Sequence, residues 1–205
     1  LLGGSFNPAH GGHRSISLFA LDALYLDEIW WLVSPGNPLK AGAKDMAPLK
    51  TRLGSARKMA RRAPIRATAI EAQMGTRYTI DSLRKLVRRY PNRRFIWIMG
   101  ADNVANFTRW RRWRDIARLM PIAVIARPGY DADAVAGPAM AWLRRFVRRT
   151  DQRHHWTMWS TPALVFLRFR PDPRSATAIR KADPFWYKRY QGRTVRDGVT
   201  HKLLV

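Results

Sequence analysis

The sequence predicts an α/β fold: a doubly wound parallel sheet with helices on both faces, in a single domain. Three observations carry that prediction. Short apolar runs of strand length recur at Leu1, Ile29, Ile65, Phe95, Ile122 and Leu164. Segments with helical periodicity separate them, the alternation that gives parallel strands joined by right-handed crossovers. Most of the runs end in Gly, Pro, Ser or Asp turns, at the strand ends where open α/β sheets bind ligands.

The first unit of the pattern is the most informative. Leu1-Leu2 is a strand stub that runs into Gly3-Gly4 and a polar turn, Ser5-Phe6-Asn7-Pro8. His10 and His13 follow, separated by Gly11-Gly12, and helical periodicity begins at once with Ile16, Leu18, Phe19, Leu21 and Leu24. A helix is expected from about 11 to 26. A strand, a glycine turn and a helix start offer backbone N–H groups and a positive helix end to an anion. The i, i+3 spacing puts both imidazoles on one helix face, and the two glycines let a phosphate approach the backbone. Taken singly, Gly3-Gly4 is also an ordinary tight turn and the histidines are also surface residues. A metal site asks for about three or four protein ligands, and no third ligand follows at a fixed spacing. A phosphate cradle accounts for the strand, the glycines, the helix start and the histidines together.

The next run, 28–33, reads as a buried strand ending in Ser34-Pro35. The loop 34–44 carries Lys40, which either reaches a triphosphate as a flexible point charge or is a solvated loop lysine. A helix over 51–62, a strand over 65–70 and a loop over 71–76 follow. The segment 77–90 reads as a helix with Thr79 as N-cap and Ile80, Leu83, Leu86 and Val87 on its apolar face. The strongest strand, 94–99, ends in Gly100-Ala101-Asp102. There Gly lets the backbone pass close to a ribose and Asp accepts its hydroxyls, unless Asp102 is only a helix N-cap.

In Phe107–Trp113, FTRWRRW, aromatics alternate with arginines, a pattern that stacks bases and binds phosphate. A helix over 114–119 makes some of those aromatics core. The strand 121–126 ends in Arg127-Pro128-Gly129, with Arg127 either on the ligand side or a turn arginine. A loop and a helix over 140–147 come next, then a basic, aromatic stretch 151–159 with no assigned role, and a last strand over 163–169. Ser175 reads as an N-cap with Thr177 in the first turn and Arg180 one turn on, either a second anion-ready terminus or an ordinary capped helix. The tail 184–205 is expected as short helices closing the site.

Composition bounds the rest. The chain has 205 residues, 46% of them hydrophobic, the usual share for a globular domain. No apolar run reaches the ~18 residues of a membrane span, and no secretory signal pattern is present. The absence of cysteine rules out disulfides and thiolate chemistry and fits a cytoplasmic protein. The chain starts without Met and in mid-strand, which implies a few residues before Leu1. The formal charge of +24 directs attention to nucleic acid. But the arginines are spread along the chain beside apolar helix faces, with no basic tail, so the charge is read as compositional bias plus steering of anionic nucleotides.

The segment GSFNPAHGGH resembles the signature of the HxGH nucleotidylyltransferases, and the wider chain resembles one branch, the bacterial nicotinate-nucleotide adenylyltransferases. Ser34, Pro35, Pro38 and Lys40 match that branch's S-P-x-x-P-x-K loop. Tyr78-Thr79-Ile80-Asp81 matches Y-T-x-x-T/S-L, FIWIMGADN its G-x-D strand end, and Arg127 its R-P-G turn. Ser175, Thr177, Ile179 and Arg180 match I-S-S-T-x-I-R, with Arg174 and Ala176 standing where the family has Ile and Ser. The resemblance implies a Rossmann-like fold, Mg2+ with ATP as co-substrate, and adenylyl transfer to nicotinate mononucleotide. It implies catalytic roles for His10, His13, Lys40 and Arg180. ATP would also contact Gly4, Ser5, Phe6, Gly100, Asp102, Ser175 and Thr177. The nicotinate nucleotide would contact Asn7, Thr79, Asp102, Trp110 and Arg127, with Trp110 stacked on the pyridine ring. Nicotinamide mononucleotide or phosphopantetheine as acceptor, and a basic nucleic-acid-binding module, are the alternatives. No protein-held metal site and no membrane partner are expected, nucleic acid is disfavoured, and a homo-oligomer is compatible with the sequence.

Overall fold

The computed structural model describes residues 1–36, 45–126, 136–169 and 175–204. Six strands, β1 (Leu2–Gly4), β2 (Ile29–Val33), β3 (Ile65–Thr68), β4 (Trp97–Gly100), β5 (Ile122–Ala126) and β6 (Leu164–Arg168), form a sheet of order β3-β2-β1-β4-β5-β6. This is the strand order of a doubly wound sheet, and the α/β class read from the sequence holds. The helices are α1 (Gly11–Ala23), α2 (Leu49–Met59), α3 (Ile70–Gln73), α4 (Thr79–Arg89), α5 (Ala101–Ala105), α6 (Trp113–Leu119), α7 (Met140–Leu143) and α8 (Ala176–Ala182). Among them none is long and apolar enough to cross a membrane.

The chain divides into two compact units. The N-terminal unit carries β1–β3, most of α1, α2, α3, α8 and the closing hairpin. Its parallel pairs set Leu2 beside Trp31 and Ile29 beside Ile65. The run IWWLV of β2 is buried at every position, as expected of a strand covered on both faces. The central unit carries β4–β6 and α4–α7, with Trp97 beside Ile122 and Ile122 beside Leu164. Within it Leu1 exchanges backbone hydrogen bonds with Ile96 and Ile98, at 2.8 Å each. In α4, Ile80, Leu83 and Leu86 are buried, and Arg88 and Arg89 lie in the last turn, where positive charge suits the helix dipole.

Several sequence boundaries are corrected. The first helix ends at Ala23 rather than about 26, because Tyr25 takes a left-handed backbone (φ 49°) and Leu26 N–H folds back to the Leu21 carbonyl. Strand β3 stops at Thr68 rather than 70, and 70–73 is helical where the strand's last residue and the start of a loop were expected. Strand β4 begins at Trp97, three residues late, and the helix expected over 140–147 is α7 followed by a 3-10 turn, Arg144–Phe146. Thr79 is not a cap: Tyr78 holds that position with extended backbone, and its carbonyl takes the Asp81 and Ser82 amides. Nor is Asp102, since Gly100 precedes α5.

The tail differs most. Only 186–190 is helical, as a 3-10 turn, and β7 (Val195–Arg196) pairs antiparallel with β8 (Leu203–Leu204). The turn of that hairpin buries Asp197 completely. One carboxylate oxygen accepts from Ala69 N–H (2.7 Å), Thr68 Oγ1 (3.0 Å) and Gln73 Nε2; the other accepts from Val199 and Thr200 N–H, both at 2.9 Å. That carboxylate starts α3 and closes the hairpin at once, which is why 70–73 is helical. Gly198 N–H reaches the Ala67 carbonyl at 2.9 Å, and a Cβ there would meet that oxygen at 2.6 Å, so the contact requires glycine.

The charge is partly neutralised locally. Asp115 receives Arg112 at 2.6 Å, Arg84 at 3.1 Å and Arg118 at 3.3 Å. Desolvation raises its pKa, but the charge and hydrogen bond of Arg112, with Arg84 and Arg118, hold it below the usual carboxylate value.

Asp197→Ala should lower the unfolding free energy by about 2–4 kcal/mol, by stranding several buried donors. Asp197→Asn should recover little, because its NH2 would face N–H donors. Urea denaturation checks this, and an Asn variant within about 0.5 kcal/mol of wild type would refute the account.

Candidate active site

The histidine pair is built by a helix cap. His10 precedes the first residue of α1, and its Nδ1 accepts the Gly12 N–H at 3.1 Å. His13 lies one turn on, and its Nδ1 accepts the His10 N–H at 3.2 Å. This is the reciprocal geometry of a capping box, with imidazoles in place of the usual Ser and Glu. The rings lie 3.9 Å apart, inclined by 47°. Since both Nδ1 atoms accept, the neutral rings carry their proton on Nε2 and present it as a donor.

The turn before the helix is held as firmly. Phe6, 1% exposed, has a left-handed backbone with φ 48°, a strained conformation for a bulky residue. Its ring stacks on Trp31 at 5.0 Å and lies 4.7 Å from His13. Gly4 makes room for that ring, since a Cβ there would lie 3.2 Å from it. Trp31 Nε1–H donates to Ser17 Oγ, and Ser17 donates to the His13 carbonyl, both at 2.8 Å. Ser5 joins Gly4 and Phe6 in this turn.

Asn7 is buried, and both ends of its amide are engaged: Nδ2 donates to the Asp45 carbonyl (2.9 Å) and Oδ1 accepts the Ala47 N–H (3.1 Å). The amide thereby ties the turn to the segment ahead of α2. Arg180 reaches the same place from α8, donating to the Asn7 carbonyl at 2.7 Å and pairing with the Asp45 carboxylate at 2.8 Å. Ser175 does cap α8, accepting the Ala178 N–H at 3.1 Å, and Thr177 lies exposed in its first turn. The N-terminal unit thus brings together Gly4, Ser5, Phe6, His10, His13 and Arg180.

Sequence reasoning missed Arg52. It is 1% exposed and has no carboxylate partner among the described residues. Its Nε donates to the Ala47 carbonyl (2.8 Å), Nη1 to Ser5 (2.8 Å) and Ser34 (2.7 Å), and Nη2 to Pro35 (3.4 Å). Burial lowers its pKa to about 10, which keeps it charged at neutral pH. The signal available was its place at i−4 from Ala56 and next to Leu53, on the apolar side of α2.

The central unit holds the other residues. Gly100 ends β4, and Asp102 lies exposed in the first turn of α5. Trp110 is half-buried, edge-on to Phe107 at 5.5 Å and to Trp97 at 6.3 Å. The Arg111 guanidinium lies 4.6 Å over the Tyr78 ring, which brings the start of α4, with Thr79, beside the Trp110 segment. Lys40 and Arg127 lie outside the described residues. Among the described residues no three of His, Asp and Glu cluster as metal ligands.

A family model described as cytidylyltransferase-like matches residues 1–182. A protein of Erythrobacter litoralis named "Probable nicotinate-nucleotide adenylyltransferase" is 66% identical over 204 residues, covering 100% of this chain and 93% of its own. The chain belongs to this nucleotidyltransferase family, in its nicotinate-nucleotide adenylyltransferase branch. A protein of the same name from Parvibaculum lavamentivorans is 49% identical over 181 residues, covering 88% of this chain and 90% of its own. The fold is similar to that of Plasmodium falciparum nicotinic acid mononucleotide adenylyltransferase complexed with NaAD, with TM-score 0.62 and 15% identity, covering 88% of this chain and 80% of that one. Within this family the paired imidazoles are those of the HxGH signature.

Nitrogen-15 correlation spectra of the neutral protein should show the Nε2–H tautomer for His10 and His13. An Nδ1–H signal at either would refute the capping geometry.

Proposed function

We propose that the chain transfers the adenylyl group of ATP to nicotinate mononucleotide, giving deamido-NAD and pyrophosphate. The observation that carries this is the 66% identity, over the whole chain, to a relative named for that reaction. The histidine pair at a helix start and the anion-suited Arg180 support it.

In the reaction an oxygen of the mononucleotide phosphate bonds to the α-phosphorus of ATP. The bond from that phosphorus to the bridging oxygen breaks, and pyrophosphate leaves with the electron pair. A phosphate nucleophile is ionised at neutral pH, so no general base is required; catalysis rests on alignment and charge stabilisation. His10 and His13 donate from Nε2 to the triphosphate, with His13 directed at the oxygens that gain charge. Lys40 and Arg180 hold the pyrophosphate, and Ser175 and Thr177 add hydroxyl contacts. Gly4, Ser5 and Phe6 line the adenylate, and Gly100 and Asp102 take the ribose. Asn7, Thr79, Asp102, Trp110 and Arg127 take the nicotinate nucleotide.

ATP would enter as its Mg2+ complex, which would supply neutralisation of phosphate charge. The carboxylate in the Arg180 network, Asp45, is engaged by that arginine, so phosphate oxygens and water suit the ion better than a protein cage. We read 1–205 as one catalytic domain of a cytoplasmic enzyme whose partners are its small-molecule substrates.

Pyrophosphate release with ATP and Mg2+ should occur with nicotinate mononucleotide and be weaker with nicotinamide mononucleotide and phosphopantetheine; preference for either of those would change the acceptor. No release with any would overturn the reading. His13→Ala should lower kcat by about 100-fold or more with a much smaller change in ATP affinity. His13→Gln should keep the helix cap and stability, yet lose turnover similarly. Trp110→Ala should raise KM for the nicotinate nucleotide several-fold, by about 1–2 kcal/mol, and leave KM for ATP little changed.

A further inference from the structure

We propose that Arg52 is a positioning residue for adenylyl transfer, acting through the Ser5 and Pro35 peptides to aim the Phe6 and Gly36 N–H groups at the nucleotide phosphates. This rests on the reading that the 4–6 turn takes those phosphates. In a planar trans peptide the C=O and the following N–H point in opposite directions. Among the described residues the cis bonds are Asn7-Pro8 and Thr161-Pro162, so the Ser5–Phe6 and Pro35–Gly36 bonds are trans. With the Ser5 carbonyl drawn to Arg52 Nη1 at 2.8 Å and the Pro35 carbonyl to Nη2 at 3.4 Å, both following N–H groups face away from the guanidinium.

Phe6 supplies a second observation. It is buried, yet among the described residues no group accepts its N–H. A buried backbone donor without a partner is costly and uncommon, and a ligand acceptor resolves it. The strained φ of 48° at Phe6 is a third. Left to itself the 5–6 peptide would relax toward a commoner conformation; Arg52 and the Trp31 stack hold it. A fork-shaped cation is suited to this task because it binds carbonyls of separate segments in one fixed plane, which a lysine ammonium does not.

The test uses the full chain, with Arg52→Lys and Arg52→Gln. Wild-type turnover with nicotinate mononucleotide is measured first and reports on the proposed reaction alone. Arg52→Lys keeps the charge but not the fork. It should lower kcat roughly tenfold or more while KM for nicotinate mononucleotide stays within about threefold and circular dichroism stays unchanged. In wild type, the Phe6 amide resonance should move downfield on titration with tripolyphosphate, and in Arg52→Lys the shift should be small. That titration needs no turnover, so it separates failure of this proposal from failure of the reaction assignment. A folded Lys variant with wild-type kcat and a wild-type Phe6 shift would overturn the proposal. If neither variant folds, a wild-type Phe6 amide that does not move with tripolyphosphate overturns it equally.

Discussion

The N-terminal unit depends on a buried charge, Arg52, that has no carboxylate partner among the described residues. Taking a guanidinium out of water is expensive, and without a carboxylate the cost is offset only by hydrogen bonds to carbonyl oxygens. Arg52 makes such bonds to residues 5, 34, 35 and 47, which stand after β1, after β2 and before α2. Two of these segments leave the sheet at the C-terminal ends of β1 and β2. One side chain on α2 therefore sets the spacing of these segments. Arginine suits the position because its donors diverge in a plane, so several backbone segments are held at fixed angles rather than gathered around a point.

The histidine pair shows how one spacing serves two demands. Three residues is the interval at which a helix cap and the end of its first turn can exchange hydrogen bonds, and also the interval that stacks two side chains on one face. His10 and His13 use their Nδ1 atoms for the first demand, which leaves the Nε2 side to define the second. Ser17 and Trp31 continue the order inward, since the Trp31–Ser17–His13 chain anchors the first turn of α1 to the buried strand β2. Rigid donors at fixed positions are what a reaction dominated by electrostatic stabilisation requires.

The high positive charge is carried by surfaces as well as by the site. Three arginines converge on Asp115, and Arg114 and Arg118 lie over the Trp113 and Trp142 rings at 4.8 to 5.8 Å. The FTRWRRW segment is accounted for mainly by this packing: Phe107 is core, Trp113 contacts Phe107 and Trp142, and Trp110 stays half-exposed. The segment's own arginines turn outward to other partners, Arg111 to the Tyr78 ring and Arg112 to Asp115.

The sequence by itself determined the class of fold, because buried strands and amphipathic helices are local patterns that recur at strand and helix periods. It also determined the histidine pair, the Ser175 cap and the family, since each rests on residue types at short spacing. Tertiary structure alone decided the rest. Asp197 looks like a surface charge in the sequence and Arg52 shows only its place on the apolar side of α2; contacts 17 to 129 residues away make them structural centres. Asp197 turned an expected loop into α3 and an expected helical tail into a hairpin. Asn7 sits inside a recognisable motif, yet its amide is committed to residues 45 and 47. Hydrogen bonds between distant segments leave no periodic trace, so a polar residue's partner is settled by the fold and not by its neighbours in the chain.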